Sequence, residues 1–382
     1  MGARSPEVES APLEMRSPHA VEESLAARWR RRAVTIPGAT LGALVLAALS
    51  PVLLPITLAI DLVRRKRFAT TRFLLFALVY LWSATISLVG LFLSWIVCGT
   101  WLGASWDRIR RHAYFLQRHW ARALYRGGEA CFDVHTEVEA VDLDPEDRGP
   151  FLVLARHTSV ADTMLPLVVL RHDREIVLRY VIKRELLVEP AIDVAGQRIP
   201  NAFVRRSGND LSKEVEQVRK IGRDLPAGQG VLIYPEGTRF TPKKQAERLA
   251  GIKERDPARY ERVRGYKRLL PMRLGGPLAL MDEQPDADVL FFAHTGFESV
   301  VSFERMINGE LVGNTVKVQI RRVPASRIPK DPEARAAWLD AEWATMDAWV
   351  DAILSDRTAE DAATAPPSNA PSRSVVQTAS AE

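Results

Sequence analysis

The stretch FLVLARHTSVAD, residues 151–162, decides the class of fold. Its first five residues are apolar, which is the pattern of a strand covered on both faces of a sheet. The polar residues His157 to Asp162 follow directly, and the segment from Val160 to Leu170 predicts a helix. His157 therefore lies at the carboxyl end of a predicted strand, where open α/β sheets tend to bind their ligands.

Asp162 follows His157 by about one helical turn. A carboxylate there can accept a hydrogen bond from one imidazole nitrogen, which fixes the tautomer and leaves the other nitrogen free as a base. The start of the predicted helix also offers backbone N–H groups to an anion. Taken alone, such a pair is more often a structural hydrogen bond than a catalytic one.

A second polar block follows another apolar strand, predicted at Gly230–Tyr234. Within it Gly237 permits a positive φ or a close approach of the backbone. Arg239 can bind a phosphate through two parallel hydrogen bonds. Glu236 could orient that arginine or accept a hydrogen bond from a substrate hydroxyl. Taken alone, this block is typical of a turn with a salt bridge.

The chain around these blocks alternates strands with helices, which predicts an α/β fold with a mixed sheet flanked by helices. The predicted strands are Cys131–Val138, Phe151–Ala155, Ile176–Ile182, Gly230–Tyr234, Val289–Thr295 and Thr315–Val323. The predicted helices are Val160–Leu170, Asp210–Leu225, Lys243–Glu254 and Asp331–Ser355.

An N-terminal hydrophobic helical hairpin precedes this fold. The runs Ala33–Val63 and Phe68–Trp106 each exceed the roughly 20 residues that cross a bilayer as a helix. Basic clusters precede, separate and follow them, so the charge pattern gives no orientation. Three prolines in the first run favour a bend. Full crossing and insertion into one leaflet both remain open, and a buried soluble hairpin is a third alternative.

The segment after the hairpin, residues 107–130, mixes aromatic residues with arginines. This mixture predicts a helix at the headgroup interface, or equally a solvated helix that packs its aromatic side on the domain. The predicted segments are a polar N-terminus (1–32), the membrane hairpin (33–106), the interfacial helix (107–130), the α/β domain (131–330), a C-terminal helix (331–356) and a disordered tail (357–382).

Composition excludes several other classes of protein. The net charge of +5 suits an anionic membrane surface or a phosphate substrate, and the basic runs lack the spacing of a nucleic-acid reader. The two cysteines, Cys98 and Cys131, exclude a disulfide framework. No cluster of metal-ligating residues stands out in the sequence, so we expect no metal.

Together these features resemble the four-block pattern of the glycerophospholipid acyltransferases, the family that contains 1-acylglycerol-3-phosphate acyltransferase. The first block, H-x-S-x-x-D, is matched by His157, Ser159 and Asp162, with Arg156 where asparagine is usual. The third block, E-G-T-R, is intact at residues 236–239. The weaker matches are Lys183, Glu185 and Leu186 (K-x-E-L), Phe203, Val204 and Arg206 (second block, with Arg205 in place of an acidic residue), and Leu269, Leu270 and Pro271 (fourth block, after a charged insertion at about Thr241 to Arg268).

The resemblance implies an acyltransferase-like α/β domain and direct transfer from an acyl thioester, without an acyl-enzyme intermediate. His157 would be the general base and Asp162 its partner. The implied substrate-binding residues are Glu236, Gly237, Thr238, Arg239, Lys183, Arg206 and Ser159. Backbone N–H groups near Gly237 or the helix start would stabilise the oxyanion. No cofactor is implied, since acyl-coenzyme A or an acyl-acyl carrier protein serves as the donor substrate.

The expected reaction acylates lysophosphatidate to phosphatidate in phospholipid biosynthesis. We expect membrane lipids as partners, no nucleic acid, and an active site on the cytoplasmic face of the inner membrane. Extra cations such as Arg156 would suit a different headgroup, so another lysophospholipid or a lyso-aminolipid remains an alternative acceptor. A catalytically inactive lipid-binding protein is an alternative from another class. A serine hydrolase is disfavoured because no G-x-S-x-G elbow occurs.

Overall fold

The computed structural model of the chain describes residues 23–98, 106–159, 161–173, 175–204, 211–300 and 302–364. Its strands are β1 (His135–Val141), β2 (Phe151–Ala155), β3 (Val177–Lys183), β4 (Ala202–Val204), β5 (Gln229–Ile233), β6 (Asp288–Thr295) and β7 (Thr315–Val323). Its helices are α1 (Leu25–Arg64), α2 (Ala69–Cys98), α3 (Trp106–Phe132), α4 (Leu165–Asp173), α5 (Pro190–Gly196), α6 (Leu211–Gly222), α7 (Pro242–Arg255), α8 (Pro257–Val263), α9 (Gly275–Glu283), α10 (Phe303–Ile307) and α11 (Pro332–Thr364). Short 3₁₀ helices lie at Ala161–Met164, Arg184–Val188 and Ala325–Arg327.

The strands form one mixed sheet of seven strands in the order β1-β7-β6-β2-β5-β3-β4. All neighbours are parallel except β6 and β7, which are antiparallel. The strand β2 lies at the centre, and every one of its residues is buried. Because β5 and β6 run parallel to β2 on either side, the polar segments that follow these three strands meet at one edge of the sheet.

The two faces of β2 pack against different helices, because alternate residues of a strand point to opposite sides. Phe151 and Val153 share a core cluster with α4, whereas Leu152 and Leu154 share one with α6, α9 and α11. Residues 151–155 form a continuous apolar run because helices cover both faces of this strand. The predicted mixed sheet flanked by helices is confirmed.

The predicted helical hairpin is also confirmed, as α1 and α2. Both helices are long and apolar enough to cross a membrane by length and composition. The helix α1 continues through its prolines. At Pro51 the missing N–H leaves the carbonyl of Ala47 without its helical partner, and the Ser50 hydroxyl donates to that oxygen instead, at 2.8 Å.

The carboxylate of Asp61 closes the hairpin. It accepts the N–H groups of Thr70 and Thr71 at 3.1 and 2.8 Å and the Thr71 hydroxyl at 2.8 Å. These are the donors at the start of α2, which lack partners within their own helix. The end of α1 is therefore bound to the beginning of α2.

Both ends of α1 contact the α/β domain. Near its start Arg31 and Arg32 bind the buried carboxylate of Asp193 in α5, with N···O distances of 3.0 to 3.2 Å. At its end the Arg64 guanidinium donates to Asn308 at 2.9 Å, in the segment before β7. One domain therefore binds both ends of α1.

The helix α3 packs its apolar side against the rest of the molecule. Ala113, Trp120 and Leu124 are buried, while Arg122 and Arg126 are exposed. Its contacts are with α2, α4 and α5. The buried side agrees with the interpretation that this helix packs on the domain. The exposed arginines lie on the opposite side of the helix.

Several sequence-based boundaries differ from the structure, and α1 begins at Leu25, inside the predicted polar segment 1–32. Cys131 was predicted to begin a strand but lies in the last turn of α3, and β1 begins at His135. The helix passes through Gly127 because the missing side chain lets α3 approach α2: a Cβ there would lie 2.6 Å from Val79. At the other end of the chain α11 continues to Thr364, into the predicted tail, through alanines and a glutamate that favour helix. Residues 1–22 and 365–382 lie outside the described part of the chain.

Candidate active site

The side chains of His157 and Asp162 form a hydrogen bond at the carboxyl end of β2. His157 Nδ1 lies 3.0 Å from Asp162 Oδ1. The other carboxylate oxygen accepts the N–H groups of Thr158 and Ser159 at 2.6 and 2.8 Å. Because the carboxylate can only accept, the proton of a neutral His157 lies on Nδ1, and Nε2 is available as a base.

The charge of Asp162 is stabilised although its side chain is fully buried. Burial raises its pKa, but hydrogen bonds from His157 and His294 outweigh burial and hold the pKa well below its usual range. The group therefore stays ionised at neutral pH and can stabilise an imidazolium at His157.

His294 is a functional candidate that the sequence analysis missed. It is 1% exposed and lies in β6, the neighbour of β2. Its Nε2 is 3.5 Å from Asp162 Oδ2 and 3.2 Å from the carbonyl oxygen of Arg156, so one N–H faces both acceptors. The only signal in the sequence was its position near the carboxyl end of a predicted strand.

Glu236 binds backbone rather than Arg239. Its side chain is 0% exposed, and its two oxygens accept the N–H of His157 at 3.0 Å and the N–H of Leu270 at 2.9 Å. Burial raises the pKa of this carboxyl to about 7. Glu236 thus connects the first, third and fourth blocks through hydrogen bonds. The sequence predicted that it orients Arg239 or accepts from a substrate hydroxyl, and neither role describes these contacts.

Ser159 also lies behind the site. It is fully buried, its hydroxyl donates to the carbonyl of Val300, and its oxygen accepts the N–H of Ala161 at 3.2 Å. It does not line the cavity next to His157. Its contacts shape the turn that carries Asp162, so the predicted substrate contact is not present.

A cavity of about 600 Å³ lies beside His157. Lys183, Gly237, Thr238 and Arg239 of the predicted set line it. The remaining predicted cation, Arg206, lies outside the described residues. The walls away from the cations are apolar and come largely from α2, α3, α4 and α5; their residues include Leu91, Leu116, Trp120, Leu167, Ile192 and Ala195.

Arg273 is a further cation at the cavity that sequence reasoning missed. Gly237 has φ +69°, and a Cβ on it would lie 3.0 Å from Arg273 Nε. The glycine of the third block therefore serves both a left-handed turn and the close approach of this guanidinium. The available signal was a basic residue two positions after Pro271 of the fourth block.

Arg156, which replaces the usual asparagine, does not reach the cavity. Its side chain is buried and binds Glu298 Oε1 at 2.6 Å and the carbonyl of His294. The expectation that this cation serves a headgroup is wrong, because its charge is neutralised by Glu298 within the protein.

Four of the backbone N–H groups near Gly237 and the helix start, where oxyanion donors were expected, already have partners. Those of Thr158 and Ser159 bind Asp162, and that of His157 binds Glu236. The N–H of Gly237 donates to the carbonyl of Tyr234 at 2.9 Å. These four amides are not free to bind a developing charge, so an oxyanion would have to be stabilised by other donors.

Within the described ranges no group of three or more histidine, cysteine, aspartate or glutamate side chains is arranged to hold a metal ion. The acid–base pair, the cations and the apolar walls are the chemical features of the cavity.

Comparison with known proteins shows a likeness to one family over part of the chain. Residues 134–266 match the family model described as Acyltransferase, and this range contains the H-x-S-x-x-D and E-G-T-R blocks. Over these residues the chain is therefore similar to the acyltransferases that this family model describes. It is similar to the crystal structure of the 1-acyl-sn-glycerophosphate (LPA) acyltransferase PlsC from Thermotoga maritima, at 17% identity and a TM-score of 0.45, covering 79% of this chain and 98% of that one. Nothing about the substrate of this chain follows from a likeness of this size. No curated protein sequence matches the chain.

Proposed function

We propose that the chain transfers a fatty acyl group from an acyl thioester to the free hydroxyl of lysophosphatidate, forming phosphatidate in phospholipid biosynthesis. The observation that carries this proposal is the His157–Asp162 pair at a cavity that is lined by three cations and by many apolar side chains. A lysolipid with an anionic head and an apolar chain has the same division of polarity.

The reaction needs one base. Nε2 of His157 takes the proton of the acceptor hydroxyl as its oxygen attacks the thioester carbonyl. The tetrahedral intermediate then collapses, the carbon–sulfur bond breaks, and the imidazolium returns the proton to the leaving thiolate. Asp162 stabilises the imidazolium between these two steps, so no covalent acyl-enzyme is required.

The cations favour a phosphate-bearing acceptor. Lys183, Arg239 and Arg273 all line the cavity that contains His157. Arginine binds phosphate through paired hydrogen bonds, and such a clamp raises the rate by holding the hydroxyl near the base. Acyl-coenzyme A and an acyl-acyl carrier protein are both candidate donors.

The apolar surface of α1 and α2 favours a membrane location. Within the part of α1 that the structure describes, Ala43 and Asp61 are the buried residues, and most of its leucines and valines are exposed. Such a surface is stable only against lipid or another protein. We propose insertion into the cytoplasmic leaflet of the inner membrane, because this leaflet faces the compartment in which acyl thioesters are made.

Mass spectrometry of the products tests the function. Membranes containing the chain would be incubated with each acyl donor and a panel of lysolipids, with His157→Ala as the control. We expect phosphatidate from lysophosphatidate and no product from the variant. Preference for a lysophospholipid with another headgroup, or for a lyso-aminolipid, would change the acceptor. Failure to consume thioester with every lysolipid would favour an inactive lipid-binding protein.

A further inference from the structure

Three hydrogen-bond donors at the cavity wall have no protein acceptor. They are the hydroxyls of Tyr180 and Tyr234 and the indole N–H of Trp120, each buried and without a partner among the described residues. Tyr180 and Trp120 are each 8% exposed as whole residues. Buried polar groups nearly always have a hydrogen-bond partner, so three orphan donors around one cavity point to a ligand.

The donors lie near the base. The ring of Tyr234 is 4.8 Å from that of His157, centroid to centroid. Tyr180 pairs in register with Leu232 of β5, two residues before Tyr234, and all three side chains belong to the same core cluster. The two phenols are thus diagonal neighbours on one face of the sheet. Trp120 comes from α3 and lines the same cavity.

The two phenols remain protonated at any pH at which the protein works. Burial raises the pKa of Tyr180 and that of Tyr234 far above the usual range, and the nearby charge of Asp162 adds to the effect at Tyr234. An indole N–H can only donate. The ligand that satisfies these groups must therefore supply acceptor oxygens.

A neutral oxygen fits better than an anionic one. Most of the surrounding wall is apolar, and a permanent charge placed there would lose its hydration. The acceptor's phosphate has cations to bind elsewhere on the wall, at Lys183, Arg239 and Arg273. A carbonyl oxygen is the acceptor that acyl lipids carry.

We infer that Tyr180, Tyr234 and Trp120 form a donor subsite that binds a carbonyl oxygen of the lipid substrates. This inference rests on the proposed function. Two carbonyls are available: that of the acyl thioester, which becomes the oxyanion, and that of the ester already present in the lysolipid. Side chains or other amides must donate to this carbonyl oxygen, because four nearby amides already have partners: those of His157, Thr158, Ser159 and Gly237.

The first test measures binding without catalysis. Methyl palmitate and hexadecyl methyl ether have the same chain, and only the ester has a carbonyl. The purified full chain should bind the ester more tightly. In the double variant Tyr180→Phe, Tyr234→Phe the affinity for the ester should fall about three- to tenfold, because one neutral hydrogen bond is lost. The affinity for the ether should change little. Equal affinity of the unchanged protein for both probes would overturn the subsite.

The second test identifies which carbonyl binds. Turnover would be measured with 1-acyl and 1-O-alkyl lysophosphatidate, which differ by the ester carbonyl. If the thioester carbonyl is the ligand, the tyrosine variants lower kcat with both acceptors, by about 100-fold for a lost oxyanion donor. If the lysolipid ester is the ligand, they raise KM for the ester-linked acceptor alone. Unchanged kcat and KM for both acceptors would contradict the inference. If the protein binds the ester probe more tightly but turns over no lysolipid, the proposed function is wrong and the subsite is still supported.

A matched control separates binding from folding. The Tyr266 hydroxyl donates to the carbonyl of Asp340 at 2.6 Å, far along the chain from the cavity residues. Tyr266→Phe should lower Tm and leave the preference for the ester unchanged. Tyr180→Phe loses no protein hydrogen bond, so its Tm should not fall. If Tyr180→Phe lowers Tm as much as the control does, its hydroxyl has a protein partner and the inference fails.

Discussion

The imidazole of His157 is positioned through two carboxylates with different tasks. Asp162 binds the ring nitrogen Nδ1, and Glu236 binds the backbone N–H of the same residue. One carboxylate sets the tautomer and the other fixes the loop that carries the ring. Each can be removed separately, and the two changes should have different signatures.

Asp162→Asn should abolish most of the catalysis while the fold remains. The new amide oxygen can keep the N–H groups of Thr158 and Ser159, so its NH₂ group turns toward His157 Nδ1. The ring then carries its proton on Nε2 and can no longer act as a base. We expect kcat to fall about 10⁴-fold, as in other acid–base pairs treated this way. KM for the lysolipid should change little.

Steady-state kinetics over a range of lysolipid concentrations measure both parameters, and circular dichroism checks folding. His157→Ala is the reference for complete loss of the base. Activity of Asp162→Asn within threefold of the unchanged protein would show that the tautomer of His157 is set by another group.

Glu236→Gln should change the pH dependence of stability. Burial raises the pKa of Glu236 to about 7 from its ordinary value of 4.5. Between these values the folded protein binds the proton more tightly than the unfolded chain does. This stability is fully present below about pH 4.5 and is lost as the pH rises through about 7, by on the order of 3 kcal/mol.

The glutamine variant lacks this titration. Its one side-chain oxygen can replace only one of the two carboxylate oxygens that accept from His157 and Leu270, and its NH₂ group faces the other N–H as a second donor. The unchanged protein should therefore have the higher Tm at pH 5, and the difference should narrow by pH 8. Thermal unfolding at a series of pH values measures it. A difference in Tm that stays constant or widens with pH would mean that Glu236 is ionised throughout this range.

At the scale of elements, β5 offers a matched pair of glycines. Gly228 precedes the strand with φ +79° and has open space where a Cβ would go. Gly237 follows the strand with φ +69°, and its Cβ would contact Arg273. An alanine at either position has the same backbone strain, about 1–2 kcal/mol, and only the second displaces a cation of the cavity.

Gly228→Ala and Gly237→Ala should therefore lower Tm by similar amounts and differ in kinetics. We expect Gly237→Ala to raise KM for lysophosphatidate at least about tenfold, since a charge-assisted hydrogen bond to phosphate is lost. Gly228→Ala should keep KM near its original value. Equal KM values in the two variants would show that Arg273 does not bind the phosphate of the acceptor.

Elements with a continuous or an alternating apolar pattern could be predicted from the sequence. The strands Phe151–Ala155 and Thr315–Val323 have their predicted bounds, because burial on both faces or on one face leaves a clear pattern. The three-residue strand Ala202–Val204 and the short helix Pro190–Gly196 were not predicted. Their few residues carry too little periodicity, and their positions are set by neighbouring elements.

The site was predictable in its acid–base pair and not in its supporting contacts. His157 and Asp162 are close in sequence, so a local argument could join them. Glu236 meets Leu270 and Asp162 meets His294 only through the sheet and through the folding of the charged insertion as α7 and α8. Sequence spacing cannot give such contacts, and for that reason Glu236 was expected to face substrate.

At the scale of the whole molecule, the contacts of α1 restrict how the protein can meet a membrane. The start of α1 is bound to Asp193 and its end to Asn308, both in the α/β domain. A helix that crosses the bilayer has its ends on opposite sides, so a domain that binds both ends would have to cross as well. We therefore expect the hairpin to lie in one leaflet, with its exposed apolar side in lipid.

Cysteine labelling can test this topology. In a background of Cys98→Ser and Cys131→Ser, single cysteines would replace Ala26 near the start of α1, Lys66 in the hairpin turn and Lys267 in the domain, all of which are exposed. A membrane-impermeant maleimide added to oriented vesicles should label all three from the cytoplasmic side alone. A crossing hairpin predicts a different pattern, in which Lys66→Cys and Ala26→Cys are labelled from opposite sides. That result would also require the Arg64–Asn308 contact to be broken in the membrane. Cysteines at these two positions test this contact directly, because they form a disulfide only if the two positions stay close.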